Sequence, residues 1–191
     1  MHIYHIDSLV RSSSEGVPFS LPPGTGPRHL VFIPETELIL LVCELISLAF
    51  LLKWDPERGV LLTLCSIPVI DIKSGGAAQP GGVKVHPSGK TAAVSCRGTN
   101  TIAIVSLPEG GNELHAGKES GGKGLSLLKV IDCGGINPRD IEFSSTGRWL
   151  LTANQDSSEI ALTGFDPKTG LPDEECRRSF PVGTPACIIE L

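Results

Sequence analysis

Three stretches of the chain repeat one pattern, and that repeat restricts the fold more than any other feature of the sequence. PRHLVFIPETELILLVCE begins at Pro27, PGGVKVHPSGKTAAVSCR at Pro80 and PRDIEFSSTGRWLLTANQ at Pro138, at spacings of 53 and then 58 residues. The turn positions Pro34, Pro87 and Ser145 keep those offsets, and so do Glu44, Arg97 and Gln155. Two Asp-Pro turns, Asp55 to Gly59 and Asp166 to Gly170, stand 111 residues apart, the span of two repeats.

Each unit resolves into four short apolar runs. In the first unit these are Leu30 to Ile33, Leu38 to Cys43, Ser47 to Trp54 and Val60 to Ile67. Gly89 and Gly147 stand where a tight hairpin needs a positive φ. Alternation such as Thr101-Ile102-Ala103-Ile104-Val105 fits strands with one buried face, and no segment shows capped helical periodicity. A four-stranded unit recurring at this length is a propeller blade, whereas a β-sandwich gives no reason for so long a repeat.

The chain is therefore expected to be all-β, a partial propeller of about three and a half four-stranded antiparallel blades in a single domain. Residues 1–21 supply the outer strands of a blade. Residues 22–74, 75–132 and 133–184 form one blade each, with a mobile Gly/Lys/Glu-rich loop inserted at 110–124. Residues 185–191 form a closing inner strand. Such an arc leaves blade faces and edges uncovered, which predicts self-association.

The run from Leu38 to Leu52 carries Glu44 at its centre and is too short for a span, so it reads as two buried strands. The net charge of −5 with scattered basic residues argues against a nucleic-acid partner. No secretory leader is visible at Met1 to Asp7, and the six cysteines lack metal-ligand or disulfide-framework spacing. The expectation is a cytoplasmic protein with reduced thiols, no membrane contact, no metal and no cofactor.

At these residues the chain resembles a known family. Gly24-Thr25-Gly26-Pro27-Arg28-His29-Leu30-Val31-Phe32 followed by Val42-Cys43-Glu44-Leu45 is similar to the GxGPRHxxFHP…VxNEL signature of the bacterial-type 6-phosphogluconolactonases. That family consists of seven-bladed propellers and includes the fungal carboxy-muconate lactonizing enzymes. Val85-His86-Pro87-Ser88-Gly89-Lys90 with Ser95-Cys96-Arg97-Gly98, and Asn137-Pro138-Arg139-Asp140 with Ala153-Asn154-Gln155-Asp156, resemble its next two blade segments. The resemblance covers nearly the whole chain, as the C-terminal half of such a protein. Cys43 and Cys96 replace the usual Asn, and Ile33-Pro34 replaces a His-Pro pair.

The resemblance implies a carboxylic ester hydrolase opening a sugar lactone, most plausibly 6-phosphogluconolactone to 6-phosphogluconate in the pentose phosphate route. Arg28, Arg97 and Arg139 offer fixed cationic forks suited to phosphate or carboxylate. Arg28 and Arg139 are the expected substrate anchors, and Arg97 is expected to polarise the lactone carbonyl. Glu44 and His29 are alternative general bases. Two other readings stay open: a muconate-type lactonizing enzyme, and a non-catalytic propeller fragment serving as an interaction module. HExxH, Walker-type and GxSxG motifs are absent. His86, just before a turn, reads as structural.

Overall fold

The computed structural model describes residues 2–3, 17–70, 77–108 and 124–190. Among them are fourteen strands and no helix. Strands β1 (His2–Ile3) and β2 (Val17–Pro18) pair as a two-stranded sheet. Blade I follows with β3 (Pro27–Phe32), β4 (Leu38–Cys43), β5 (Leu48–Asp55) and β6 (Val60–Pro68). Blade II comprises β7 (Pro80–Val85), β8 (Thr91–Cys96), β9 (Thr101–Ser106) and β10 (Ser126–Asp132). Blade III comprises β11 (Pro138–Phe143), β12 (Trp149–Asn154), β13 (Glu159–Phe165) and β14 (Pro172–Pro181). Within each blade the strands pair antiparallel in sequence order, and β7 packs against both β3 and β11. The chain is a partial β-propeller whose first strands are its inner ones.

The alternation of side chains along each strand builds the interfaces. Every residue of β4 is buried, because both faces are covered. Leu38, Leu40 and Val42 face blade II and pack with Val83, Ala92, Val94 and Val105, while Ile39, Leu41 and Cys43 face the segment carrying Phe19 and Leu21. The apolar run around Glu44 is thus two core strands, as its length predicts. No helix among the described residues is long and apolar enough to cross a membrane. Between blades II and III the core is Ile102, Ile104, Ile131, Ile141, Phe143, Leu150 and Phe165.

The hairpins follow the turn chemistry read from sequence. Gly89 and Gly147 adopt φ of 71° and 67°. The Asp55 carboxylate accepts hydrogen bonds from the Glu57 and Arg58 amides at 3.1 and 3.0 Å, and Asp166 does the same for Lys168 and Thr169. In blade I, Thr36 stands at the glycine position, and the positive φ falls on Glu35 instead, at 60°.

The expected closing strand differs. Residues 185–190 carry no strand pairing. Among the described residues no strand pairs with this segment, which is held by side chains. The Ile188 amide donates to Asp140 Oδ2 at 3.0 Å, and Glu190 accepts from the Ser145 amide. The proposed insertion at 110–124 lies outside the described residues except for Gly124.

Candidate active site

The same backbone arrangement recurs at one end of all three blades. The residue just after the second strand donates its amide to the carbonyl just before the first: Glu44 to Gly26 at 2.8 Å, Arg97 to Gln79 at 3.2 Å and Gln155 to Asn137 at 3.0 Å. Gly26, Gln79 and Asn137 all have positive φ, as do Ser47, Asn100 and Ser158 in the turns that follow. Each inner strand also opens on a bulge, after Pro27, Pro80 and Pro138. A bulge sets two residues against one and re-aims the side chain on it. The bulged positions hold Arg28, Gly81 and Arg139. Three repeated backbone devices therefore deliver Glu44, Arg97 and Gln155, with Arg28 and Arg139, to one mouth around the inner strands.

Glu44 is the hub of this mouth. Arg28 Nε lies 3.4 Å from its Oε2, and Arg97 Nη2 of the neighbouring blade binds its Oε1. Arg28 Nη1 and Arg97 Nε are buried and have no hydrogen-bond partner. Burial and the nearby Arg97 charge depress the Arg28 pKa; Glu44 opposes this and Arg139 adds to it. Arg139 Nη1 meets Gln155 Oε1 at 3.2 Å, within its own blade. Two guanidinium groups thus share one carboxylate while a third, Arg139, stands nearby without an ion pair, an arrangement that attracts an anion.

His29 is exposed beside this cluster, facing Asp140. Partial burial and then the Arg28 charge push its pKa below the ordinary histidine value, and Asp140 opposes them. The ring is therefore neutral near pH 7 and able to accept a proton. The structure brings Arg28, Glu44 and Arg97 into direct contact, with Arg139 close enough to act on Arg28 and His29 alongside. Sequence reasoning missed two contributors. Gln155 was visible as a repeat position but not as the partner of Arg139. Gly81 leaves no side chain at the middle bulge, where an added Cβ would lie 2.7 Å from Ser95 Oγ.

No group of three His, Cys, Asp or Glu side chains converges among the described residues. Cys43 and Cys96 are no nucleophiles: burial raises both thiols, Cys96 to about 12. Cys96 has a structural place, its Sγ donating to the Val69 carbonyl of blade I at 3.3 Å. At the equivalent position of the next junction, Asn154 Nδ2 donates to the Cys133 carbonyl at 3.2 Å.

The model of the family described as "Lactonase, 7-bladed beta-propeller" matches residues 1–190. This chain belongs to the lactonase family of seven-bladed β-propellers. Its relatives include an Arthroderma benhamiae protein named probable 6-phosphogluconolactonase, 27% identical over 182 residues that cover 90% of this chain and 43% of the relative. The 6-phosphogluconolactonase of Bacillus subtilis is 24% identical over 151 residues, covering 79% and 40% respectively. The periplasmic gluconolactonase of Pseudomonas aeruginosa superposes with a TM-score of 0.73 at 25% identity, covering 90% of this chain and 43% of that one. The chain therefore spans less than half the length of the curated relatives it matches.

Proposed function

We propose that the mouth built by Arg28, Glu44, Arg97 and Arg139 binds a phosphorylated sugar lactone, 6-phosphogluconolactone, and hydrolyses it to 6-phosphogluconate. The observation that carries this reading is the imbalance of charge: three arginines at the mouth, two of them sharing Glu44 and the third on neutral Gln155, with Arg28 Nη1 and Arg97 Nε buried and unpartnered. The names of the relatives supply the substrate class.

In this reading the guanidinium charges of Arg97 and Arg28 stabilise the lactone carbonyl, whose oxygen gains charge as water adds. Glu44 accepts a guanidinium on each carboxylate oxygen, so its part is to hold the two forks in place. His29, neutral and unencumbered, takes the proton from the attacking water and returns it to the ring oxygen as the ester bond breaks. That choice between the two candidate bases follows from their partners.

Hydrolysis of 6-phosphogluconolactone and of gluconolactone, each followed against the spontaneous rate, tests the proposal. Faster opening of the phosphorylated lactone is expected. No acceleration of either would remove the hydrolytic reading.

Self-association belongs to the same proposal. Leu30 and Phe32 on β3 are 40% and 57% exposed, whereas their counterparts Val83, Ile141 and Phe143 are buried by a preceding blade. A second copy covering this face would give dimers in light scattering; a stable monodisperse monomer would contradict it. A reducing, cytoplasmic setting is also part of the reading, supported by six free cysteines.

A further inference from the structure

The three blades deliver three charge states to equivalent positions of the mouth. Blade I places a carboxylate there (Glu44), blade II a cation (Arg97) and blade III a neutral amide (Gln155). The consequence falls on the bulge arginines. Arg28 meets Glu44, and its charge is shared with an anion. Arg139, on the equivalent bulge of blade III, meets only the Gln155 carbonyl oxygen, and no carboxylate among the described residues forms an ion pair with it. Gln155 is itself held in place: Asn137 Nδ2 reaches the same Oε1 at 3.5 Å and binds Asp156 Oδ1 at 3.1 Å. Arg139 is thus aimed by a hydrogen bond that takes nothing from its charge.

We propose that Arg139 is the residue that selects for the phosphate of the substrate, and that Gln155 is a positioning residue that orients its guanidinium while leaving the charge uncompensated. This assignment rests on the phospholactone reading above and divides the site into two halves. A phosphate dianion gains most from a planar fork whose charge no neighbouring carboxylate offsets. The Arg28–Glu44–Arg97 half carries less net charge per guanidinium and suits the single negative charge that develops on the lactone oxygen. The neutrality of position 155 is what separates the halves; a glutamate there would turn blade III into a copy of blade I.

The test compares the 191-residue chain with its Gln155→Glu and Arg139→Gln variants. Calorimetric binding of 6-phosphogluconate needs no turnover and is read first. Both variants are expected to weaken it roughly tenfold or more, the isosteric Gln155→Glu by adding an ion pair and Arg139→Gln by removing the anchor. In kinetics, the ratio of kcat/KM for 6-phosphogluconolactone over gluconolactone is expected to fall by a similar factor, with the loss on the phosphorylated substrate carried in KM. Arg139→Lys, which keeps the charge and loses the fork, is expected to restore part of that ratio; a merely structural residue would show no such rescue.

Unchanged 6-phosphogluconate affinity in Gln155→Glu, absence of binding in the parent chain, or a ratio that stays within twofold would each overturn the assignment. The two readings fail separately. Hydrolysis of both lactones with an indifferent position 155 removes this inference and keeps the hydrolase. Binding of 6-phosphogluconate that depends on Gln155, without turnover of either lactone, removes the hydrolase and keeps the phosphate selector.

Discussion

The junction between blades I and II and the junction between blades II and III use the same backbone and opposite chemistry. At the first, charge is concentrated at the mouth: Glu44 of blade I reaches Arg97 of blade II, and the layer behind them is aliphatic. At the second, no ion pair among the described residues crosses at the mouth, and Arg139 bonds within its own blade. Neutral hydrogen bonds join the blades there, and the ion pairs lie elsewhere. Lys84 pairs with Glu142 between inner strands, Lys129 with Glu174 and Arg177 with Asp132 at the outer edge. At the far rim His86 is fully buried, accepting the Ser88 amide on Nδ1 at 3.0 Å and donating from Nε2 to the Gly147 carbonyl at 2.8 Å. Its ring stacks near Phe165 and meets the edge of Phe143. The difference teaches that one junction concentrates unbalanced charge, where the proposed ligand would sit, and the other holds the arc together by spread contacts. Damage to the first should appear in activity, and damage to the second in stability.

The largest expected effect separates the two junctions directly. Arg97→Met removes the proposed carbonyl-polarising group and should lower kcat/KM on 6-phosphogluconolactone by about 10²–10³, measured by steady-state kinetics. An effect under threefold would erase the contrast. His86→Leu strikes the other junction: it discards the link to Gly147 and leaves that carbonyl buried, so urea unfolding should show a loss of about 2–3 kcal/mol. Gly147→Ala tests the same place from the opposite side. Its φ of 67° disfavours a side chain, and the new Cβ would lie 2.9 Å from the His86 ring. A loss of about 1–2 kcal/mol is expected from strain at such a position, visible as a lower Tm.

A smaller effect sharpens the account of the mouth. His29 must be unprotonated to act as base, and its folded pKa lies below the ordinary value of 6.5. The rate should therefore rise as pH climbs through that lowered pKa and be level by neutrality. His29→Gln should abolish this acid limb; a limb with its midpoint above 6.5 would assign the proton transfer to another group. Smallest of all, Cys96 and Cys133 are buried, with thiols raised to about 12 and about 11, and should resist alkylation in the native chain while exposed Cys187 reacts.

The blades were legible in sequence because the repeat offsets act on the landmarks of every turn. Asp55 and Asp166, Gly89 and Gly147 each mark a turn by a chemistry that only a few residues provide. The mouth was legible only in part. Glu44 and the arginines announce themselves by residue type, but the devices that aim them do not. Positive φ at Gln79, Ser47 and Ser158 falls on residues that do not favour it, and only Asn100 and Asn137 are of a type that does. The bulges at Arg28 and Arg139 depend on pairing register, a property of two strands that neither shows alone. Residues 185–190 carry no strand assignment, and pairing of this kind is again a property of two strands that one segment's sequence does not show. Neutral Gln155 gained its meaning only from the arginine it faces.

The account depends on Glu44 and Arg97 meeting across the boundary between two blades. A double-mutant cycle of Glu44→Gln, Arg97→Met and the combined variant, followed by urea unfolding, measures that contact without needing substrate. A coupling energy of about 1 kcal/mol or more is predicted. Losses that add to within about 0.3 kcal/mol would mean that the two side chains act independently, and the shared mouth would not exist as described.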